Sequence, residues 1–272
     1  MQRSLGSGRR AATVLAAALF AVSLGLVACG GDDNGGGGGG GGKNYKLTLI
    51  AGVKGDEFYI TMNCGAQAEA KKLGATLDDP SDAVSQIASD NEGGGRVAAE
   101  TLSKLIGGEG KVFVVNVKPG ISTTDLRAKG FEEGAKKAGL DYLGQQFSQD
   151  DPAKAASIVK AILARNPDLK GIFATNLFSA EGAASGLKEA GKLGTVKIVG
   201  FDAGPKQVED LKDGLVQALI AQRPAQIGKL GVQQAIAALD DKPTKEKIAT
   251  GFVSITKDNL AQNQDALYKA HC

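Results

Sequence analysis

The sequence predicts an α/β protein built on parallel sheets, and three observations carry that reading. From Lys46 onward, short apolar runs rich in β-branched residues alternate with amphipathic stretches at helical spacing, the pattern of strands each followed by a helix. Strands starting near 112, 142 and 171 recur about every 30 residues, the length of one βα unit. Several runs are apolar on both faces, as strands covered on both sides must be. The composition agrees: 42% hydrophobic and 23% charged residues are ordinary for a globular α/β chain, whereas 5% aromatic residues and no Trp speak against an aromatic-rich all-β domain.

The chain opens on a segment of a different kind. Arg3, Arg9 and Arg10 precede an uncharged run from Ala11 to Ala28, short for a membrane span and right for the apolar part of an export signal. The run ends Leu26-Val27-Ala28-Cys29. That tetrapeptide resembles the bacterial lipobox, whose cysteine is diacylated and becomes the new N-terminus, so Cys29 is the expected lipidation site. Glycines follow, unbroken from Gly35 to Gly42. Such a stretch has no side chains to bury and the highest backbone entropy available, so it reads as a flexible tether with a reach of roughly 20 Å. Residues 1–28 are thus expected to be a signal peptide and residues 29–44 a tether, which would hold the protein to a membrane by its lipid alone.

Charge and histidine content narrow the function classes. Removing the three leader arginines takes the formal charge from +2 to near zero, which leaves no excess for binding nucleic acid. The single histidine is His271, so a His-based dyad or a multi-His metal site has nothing to be built from. No Gly-x-Gly-x-x-Gly follows an expected strand, and Gly93-Gly94-Gly95 lies after a polar segment with no full strand before it, which argues against a nucleotide-using enzyme. No catalytic residue, no metal and no cofactor are expected.

Taken in order, the expected strands are Leu47 to Val53, Val112 to Val117, Tyr142 to Phe147, Gly171 to Thr175, Val196 to Phe201 and Val216 to Ala221. The first helix shows a core face at Tyr59, Met62, Ala66, Ala70 and Leu73; later faces run Ala128, Phe131, Ala135, Ala138, then Ala155, Ile158, Val159, Ile162, then Ala183, Leu187, Ala190. Gly139, Gly191 and Gly194 stand where helices should end. Residues 75–95 break the rhythm, with no room for a second βα unit. After Ala225 a helix to Leu239 and a final strand near Ile248 to Ile255 are expected.

At this point six segments, in order, resemble the type I periplasmic binding proteins of the ribose-binding kind, which serve ABC sugar importers. They are Phe58-Tyr59, Ile87-Ala88-Ser89-Asp90-Asn91, Arg127-Ala128-Lys129-Gly130-Phe131, Phe173-Ala174-Thr175-Asn176, Val199-Gly200-Phe201-Asp202 and Ala221-Gln222. The resemblance implies two Rossmann-like lobes with parallel sheets and a monosaccharide held in the cleft between them. It implies a C-terminal lobe over 95–222 and an N-terminal lobe over 45–94 and 223–272. By position it assigns ligand contacts to Asp56, Phe58, Tyr59, Arg127, Asn176, Asp202 and Gln222, with Asp150 where ribose binders often carry an aromatic. Sugar chemistry fits this set: hydroxyls need planar polar groups at their edges and the C–H faces need aromatic rings. The blander readings are core aromatics for Phe58 and Tyr59, helix caps for Asp56 and Asp202, and an exposed helix charge for Arg127.

Against a complete member of that family, roughly two βα units, on the order of 60 residues, are missing near Gly74 to Thr76, as an internal deletion would leave. The N-terminal lobe is therefore expected to be incomplete and unstable, and this chain is expected to bind sugar very weakly or not at all. The implied partners are a monosaccharide or small polyol and an ABC transporter permease, with the protein a monomer at the extracytoplasmic face of a bacterial membrane. A signalling-ligand receptor of the same fold and a non-functional shortened variant are the alternatives. Cys64 and Cys272 are the cysteines left after lipidation, and an exported protein meets an oxidising compartment, so a disulfide between them is expected.

Overall fold

Alternating apolar runs and amphipathic stretches become, in chain order, β1 (Thr13–Ala16), β2 (Leu19–Val22), β3 (Tyr45–Ile50), α1 (Glu57–Lys72), β4 (Ala75–Thr76), β5 (Ala83–Ser89) and α2 (Asn91–Ile106). They continue as β6 (Lys111–Asn116), α3 (Ser122–Lys137), β7 (Asp141–Phe147), α4 (Pro152–Arg165), β8 (Leu169–Ala174), α5 (Leu177–Glu189), β9 (Lys197–Phe201) and α6 (Pro205–Lys212). The chain closes with β10 (Ala218–Ala221), α7 (Pro224–Leu239), β11 (Lys247–Thr250), β12 (Val253–Thr256) and a 3-10 helix over Leu260–Ala266. This computed structural model describes residues 13–16, 19–22, 45–50, 56–73, 75–76 and 83–272. Cys29, the glycine tether and Gly74 of the expected junction lie outside them.

The chain divides into two units: 1–54, 62–87 and 225–248 form one, and 55–61, 88–224 and 249–272 the other. The second unit holds a six-stranded sheet in the order β12-β10-β9-β8-β6-β7. Its neighbours pair in parallel except β12, which runs antiparallel to β10 at the edge. The inner strands are apolar on both faces because helices cover both sides, and Val112, Val114, Phe131, Phe173, Val199, Phe201 and Ile220 fill one core. Edge strand β7 is only half-buried.

Glycines set how closely the helices of this unit approach. A Cβ on Gly95 would meet the Arg127 carbonyl oxygen at 2.1 Å, and one on Gly130 would meet the Glu92 carbonyl oxygen at 2.0 Å. Helices α2 and α3 therefore touch backbone to backbone. Gly182 brings α5 onto α4 in the same way, its Cβ position lying 2.3 Å from the Pro152 carbonyl oxygen.

The first unit has the sheet order β11-β5-β1-β2-β3-β4. In it β1 and β2 form an antiparallel hairpin between β5 and β3. Both strands come from the apolar run assigned above to an export signal; where that signal is cleaved, β3 and β5 each lose a neighbour. Met62, Ala66 and Ala70 of α1 are buried as the spacing predicts, and Gly65 and Gly228 let α1 approach α7.

Several expectations need correction. Leu73 is 38% exposed rather than core, because it stands past the last residue of α1. Residues 75–95, read as a break in the rhythm, contain a strand and the start of a helix: β5 is seven residues long, and Gly93-Gly94-Gly95 sits inside α2 after it. The expected single strand near Ile248 to Ile255 is two, β11 in one sheet and β12 in the other. Residues 249–272 accordingly join the unit of the C-terminal lobe, because β12 pairs with β10. Residues 55–61 and 88–94 fall in that unit too, so Asp56, Phe58 and Tyr59 stand with Arg127.

Candidate functional site

Parallel strands point their carboxyl ends to one edge, and the loops there carry the polar side chains that the chain keeps buried. Arg127 enters this edge from α3. It is 5% exposed, so the reading of an exposed helix charge is overturned. Its Nε donates to Asn91 Oδ1 at 2.8 Å and its Nη1 to the Thr175 carbonyl oxygen at 2.8 Å. The Asp202 carboxylate lies 4.0 Å from Nη1, and the guanidinium carbon sits 3.9 Å from the Phe201 ring centroid. These bonds use Nε and Nη1; Nη2 makes none among the described residues. Burial draws the Arg127 pKa below its ordinary value, and the Asp202 charge opposes that shift.

Asp202 is the hub. It follows β9 directly with φ of 80°, a conformation that strains a non-glycine residue. Its Oδ1 accepts from Gln222 Nε2 at 2.6 Å and from the Tyr268 hydroxyl at 2.9 Å, and its Oδ2 accepts from the Leu177 backbone N–H at 3.1 Å. Gln222, at the end of β10, accepts from Ser89 Oγ at 2.7 Å through Oε1. Its backbone N–H donates to the Tyr268 hydroxyl at 3.0 Å. Four short loops thus fix one carboxylate, one amide and one guanidinium in a single buried network.

Asn176 caps α5, its Oδ1 accepting from the Ser179 N–H at 3.1 Å while its Nδ2 donates to Asp150 Oδ1 at 2.6 Å. Asp150 is strained as well, with φ of 63° beside Gln149 at 59°. Asp56 caps the start of α1 by accepting from the Phe58 N–H at 2.8 Å. Burial, then the charges of Asp202, Asp150 and Glu57, push the Asp56 pKa up to about 7, against the lowering effect of the Phe58 N–H. Phe58 is buried, meeting Tyr59 edge-on at 5.1 Å and Tyr268 at 6.0 Å between centroids. Burial, then Asp56 and Asp202, raise the Tyr59 pKa to about 12.

All eight sequence-expected ligand residues therefore belong to one unit. Arg127, Asp202 and Gln222 form one linked set, Asp150 and Asn176 a pair, and Asp56, Phe58 and Tyr59 the start of α1. The cap reading holds for Asp56, which caps α1 while also standing among the carboxylates; it does not hold for Asp202, whose carboxylate accepts from the Leu177 N–H while Asn176 caps α5 and Gly204 caps α6. Sequence reasoning missed Ser89, Asn91, Thr175 and Tyr268. The first three lie inside quoted segments and could have been found by asking which polar residues close each strand; Tyr268 follows no strand and carries no such signal. No group of His, Cys, Asp and Glu suited to a metal occurs among the described residues. Nor is any helix among them long and apolar enough to cross a membrane.

Comparison with known proteins gives this arrangement a context. The chain is 36% identical over 176 residues to the ribose import binding protein of Salmonella typhimurium, a match covering 65% of this chain and 59% of that protein. The chain thus spans about three-fifths of the length of this curated relative. A solute binding protein of Agrobacterium vitis solved with alpha-D-tagatopyranose superposes with a TM-score of 0.77 at 36% identity, over 80% of this chain and 97% of that one. A second from the same organism, with bound D-fucose, gives a TM-score of 0.66 at 27% identity, over 78% and 86%. The incomplete first lobe sits at the edge of the family match, which begins at residue 75. That match, to the periplasmic binding protein domain, runs over residues 75–243, and the chain belongs to this family as a type I periplasmic binding protein.

Proposed function

We propose that the protein captures a monosaccharide at the Arg127–Asp202–Gln222 network and delivers it to an ABC importer without altering it. The single observation that carries the reading is that network: a guanidinium, a carboxylate and an amide, each 2–5% exposed, held by loops at the carboxyl edge of one sheet. A planar donor fork, an acceptor and a two-way amide match a ring of hydroxyls better than any charged ligand. Asp150 and Asn176 extend the polar edge, and Phe58 and Tyr59 supply apolar ring surface. The relatives named above bind ribose, tagatose and fucose, which supports the same ligand class here.

The proposal includes a cleaved signal over residues 1–28, diacylation of Cys29 and extracytoplasmic anchoring through that lipid, with the globular part a monomer. It also includes the pairing of Cys64 with Cys272, the cysteines that remain once Cys29 is lipidated, in an oxidising compartment. Titration of the purified chain with ribose, allose, tagatose, fucose and arabinose tests the binding. Saturable binding of one of them at one site, even in the millimolar range, supports the reading, and no binding of any at tens of millimolar overturns it.

A further inference from the structure

We infer that Tyr268 is a positioning residue for the ligand network and that the segment after the last 3-10 helix is part of the site. The inference rests on the sugar-binding reading. Tyr268 lies beyond every strand of the sheet, yet it is 5% exposed. Its hydroxyl stands between two site residues: it donates to Asp202 Oδ1 at 2.9 Å and accepts from the Gln222 backbone N–H at 3.0 Å. No other side chain among the described residues bonds both.

The surrounding segment is tied to the same loops. The Tyr268 N–H donates to the Ala203 carbonyl oxygen at 3.0 Å, next to Asp202. The Lys269 N–H donates to Thr61 Oγ1 at 2.7 Å, on the helix that begins beside Asp56. The Tyr268 ring lies 6.0 Å from that of Phe58. One segment therefore links the loop after β9, the end of β10 and the start of α1.

The chemistry defines what the hydroxyl does. Asp202 Oδ1 takes two donors, Gln222 Nε2 and Tyr268, and Oδ2 takes the Leu177 N–H, so the plane of the carboxylate is set on both edges. Removing the phenol oxygen takes one donor from a buried carboxylate and strands the buried Gln222 N–H without an acceptor. The carboxylate and the amide then lose their fixed aim. Tyr268 thus acts through Asp202 and Gln222.

The test uses the full chain and three variants: Tyr268→Phe, which keeps the ring, Asp202→Asn, and the pair combined. Without sugar, the Gln222 backbone amide should exchange with deuterium at least tenfold faster in Tyr268→Phe, while the melting temperature stays within a few degrees. With the sugar that binds wild type best, Tyr268→Phe should weaken affinity about 5- to 20-fold, and the same change made in Asp202→Asn should weaken it less than twofold. An unchanged Gln222 exchange rate, or an equal loss of affinity in both backgrounds, overturns the inference. Should wild type bind no monosaccharide, the function reading falls, and the Gln222 amide still decides whether the hydroxyl holds the network. Should either Asn variant fail to fold, the wild-type and Tyr268→Phe exchange rates decide it.

Discussion

Arg127 shows most plainly how one residue is placed by many. Its position on a helix face gave no hint of burial, since an arginine beside alanine and lysine reads as a solvent-facing charge; only the match to a known segment singled it out. The structure supplies the physical reason, a guanidinium covered by Phe201 and bonded by Asn91 and Thr175. Arg127→Ala should weaken sugar binding about 10- to 150-fold, the loss of a buried charge-assisted bond of roughly 1.5 to 3 kcal/mol. Calorimetry showing unchanged affinity would remove it from the site. Asp56 makes the second prediction at this scale. A carboxyl whose folded pKa is raised, here from 3.8 to about 7, binds its proton more tightly when folded. Its contribution to stability is full below about pH 4 and is lost as the pH climbs through 7. Asp56→Asn should therefore melt near wild type at pH 4 and several degrees higher at pH 8. A gain of equal size at both pH values would mean that the Asp56 charge is not what destabilises the loop. The acidic charges that raise the Asp56 pKa are Asp202, Asp150 and Glu57, and the Arg127 guanidinium feels the Asp56 charge from the other side, so the gain belongs first to burial and then to the excess of repulsion over that attraction.

Among the elements, the strands at 112, 171 and 197 were legible because a two-sided apolar run has few other uses, and the half-buried one at 142 because it keeps the 30-residue spacing of the βα repeat. Helix α2 was not. Its three consecutive glycines and the polar residues before it fell in the stretch read as a break in the rhythm, since glycine costs about 1 kcal/mol in a helix interior relative to alanine. That local cost is accepted because Gly95 and Gly130 allow α2 and α3 to meet backbone to backbone. The packing in turn fixes where α3 presents Arg127, whose own carbonyl oxygen is the atom that a Gly95 side chain would strike. Gly95→Ala should cost about 1 to 3 kcal/mol, as overpacking does, and weaken sugar binding by shifting α3. Gly251→Ala, with nothing within 4 Å of its Cβ position, should leave both melting temperature and affinity in place. Equal melting temperatures for the two variants would show that the helices separate without penalty.

At the scale of the molecule, the two units differ in how well they close their own sheets. The second keeps five parallel strands, their helices and the ligand network. The first relies on β1 and β2 for its middle, strands that a cleaved export signal would remove, and an open apolar edge is a liability for any sheet. The sequence revealed this imbalance as a missing stretch near Gly74, because counting βα units needs no coordinates; the sharing of 55–61 and 249–272 with the larger unit could not be counted, because it depends on long-range contacts, the pairing of β12 with β10 and the bond from Lys269 to Thr61. Hydrogen exchange on the protein lacking residues 1–28 should show strong protection across Val112 to Ala221 and weak protection across Leu47 to Leu73. Equal protection, or micromolar affinity for any monosaccharide, would mean that the shortened lobe closes its sheet unaided. The aromatic content has an optical consequence. The chain holds four tyrosines and no tryptophan, so tyrosine emission is not masked by indole, and two of the four, Tyr59 and Tyr268, stand among the ligand residues. A sugar hydroxyl that bonds Asp202 draws on the carboxylate to which the Tyr268 phenol also donates, so the intrinsic emission near the tyrosine maximum should change on binding with no dye attached, and that change should shrink in Tyr268→Phe.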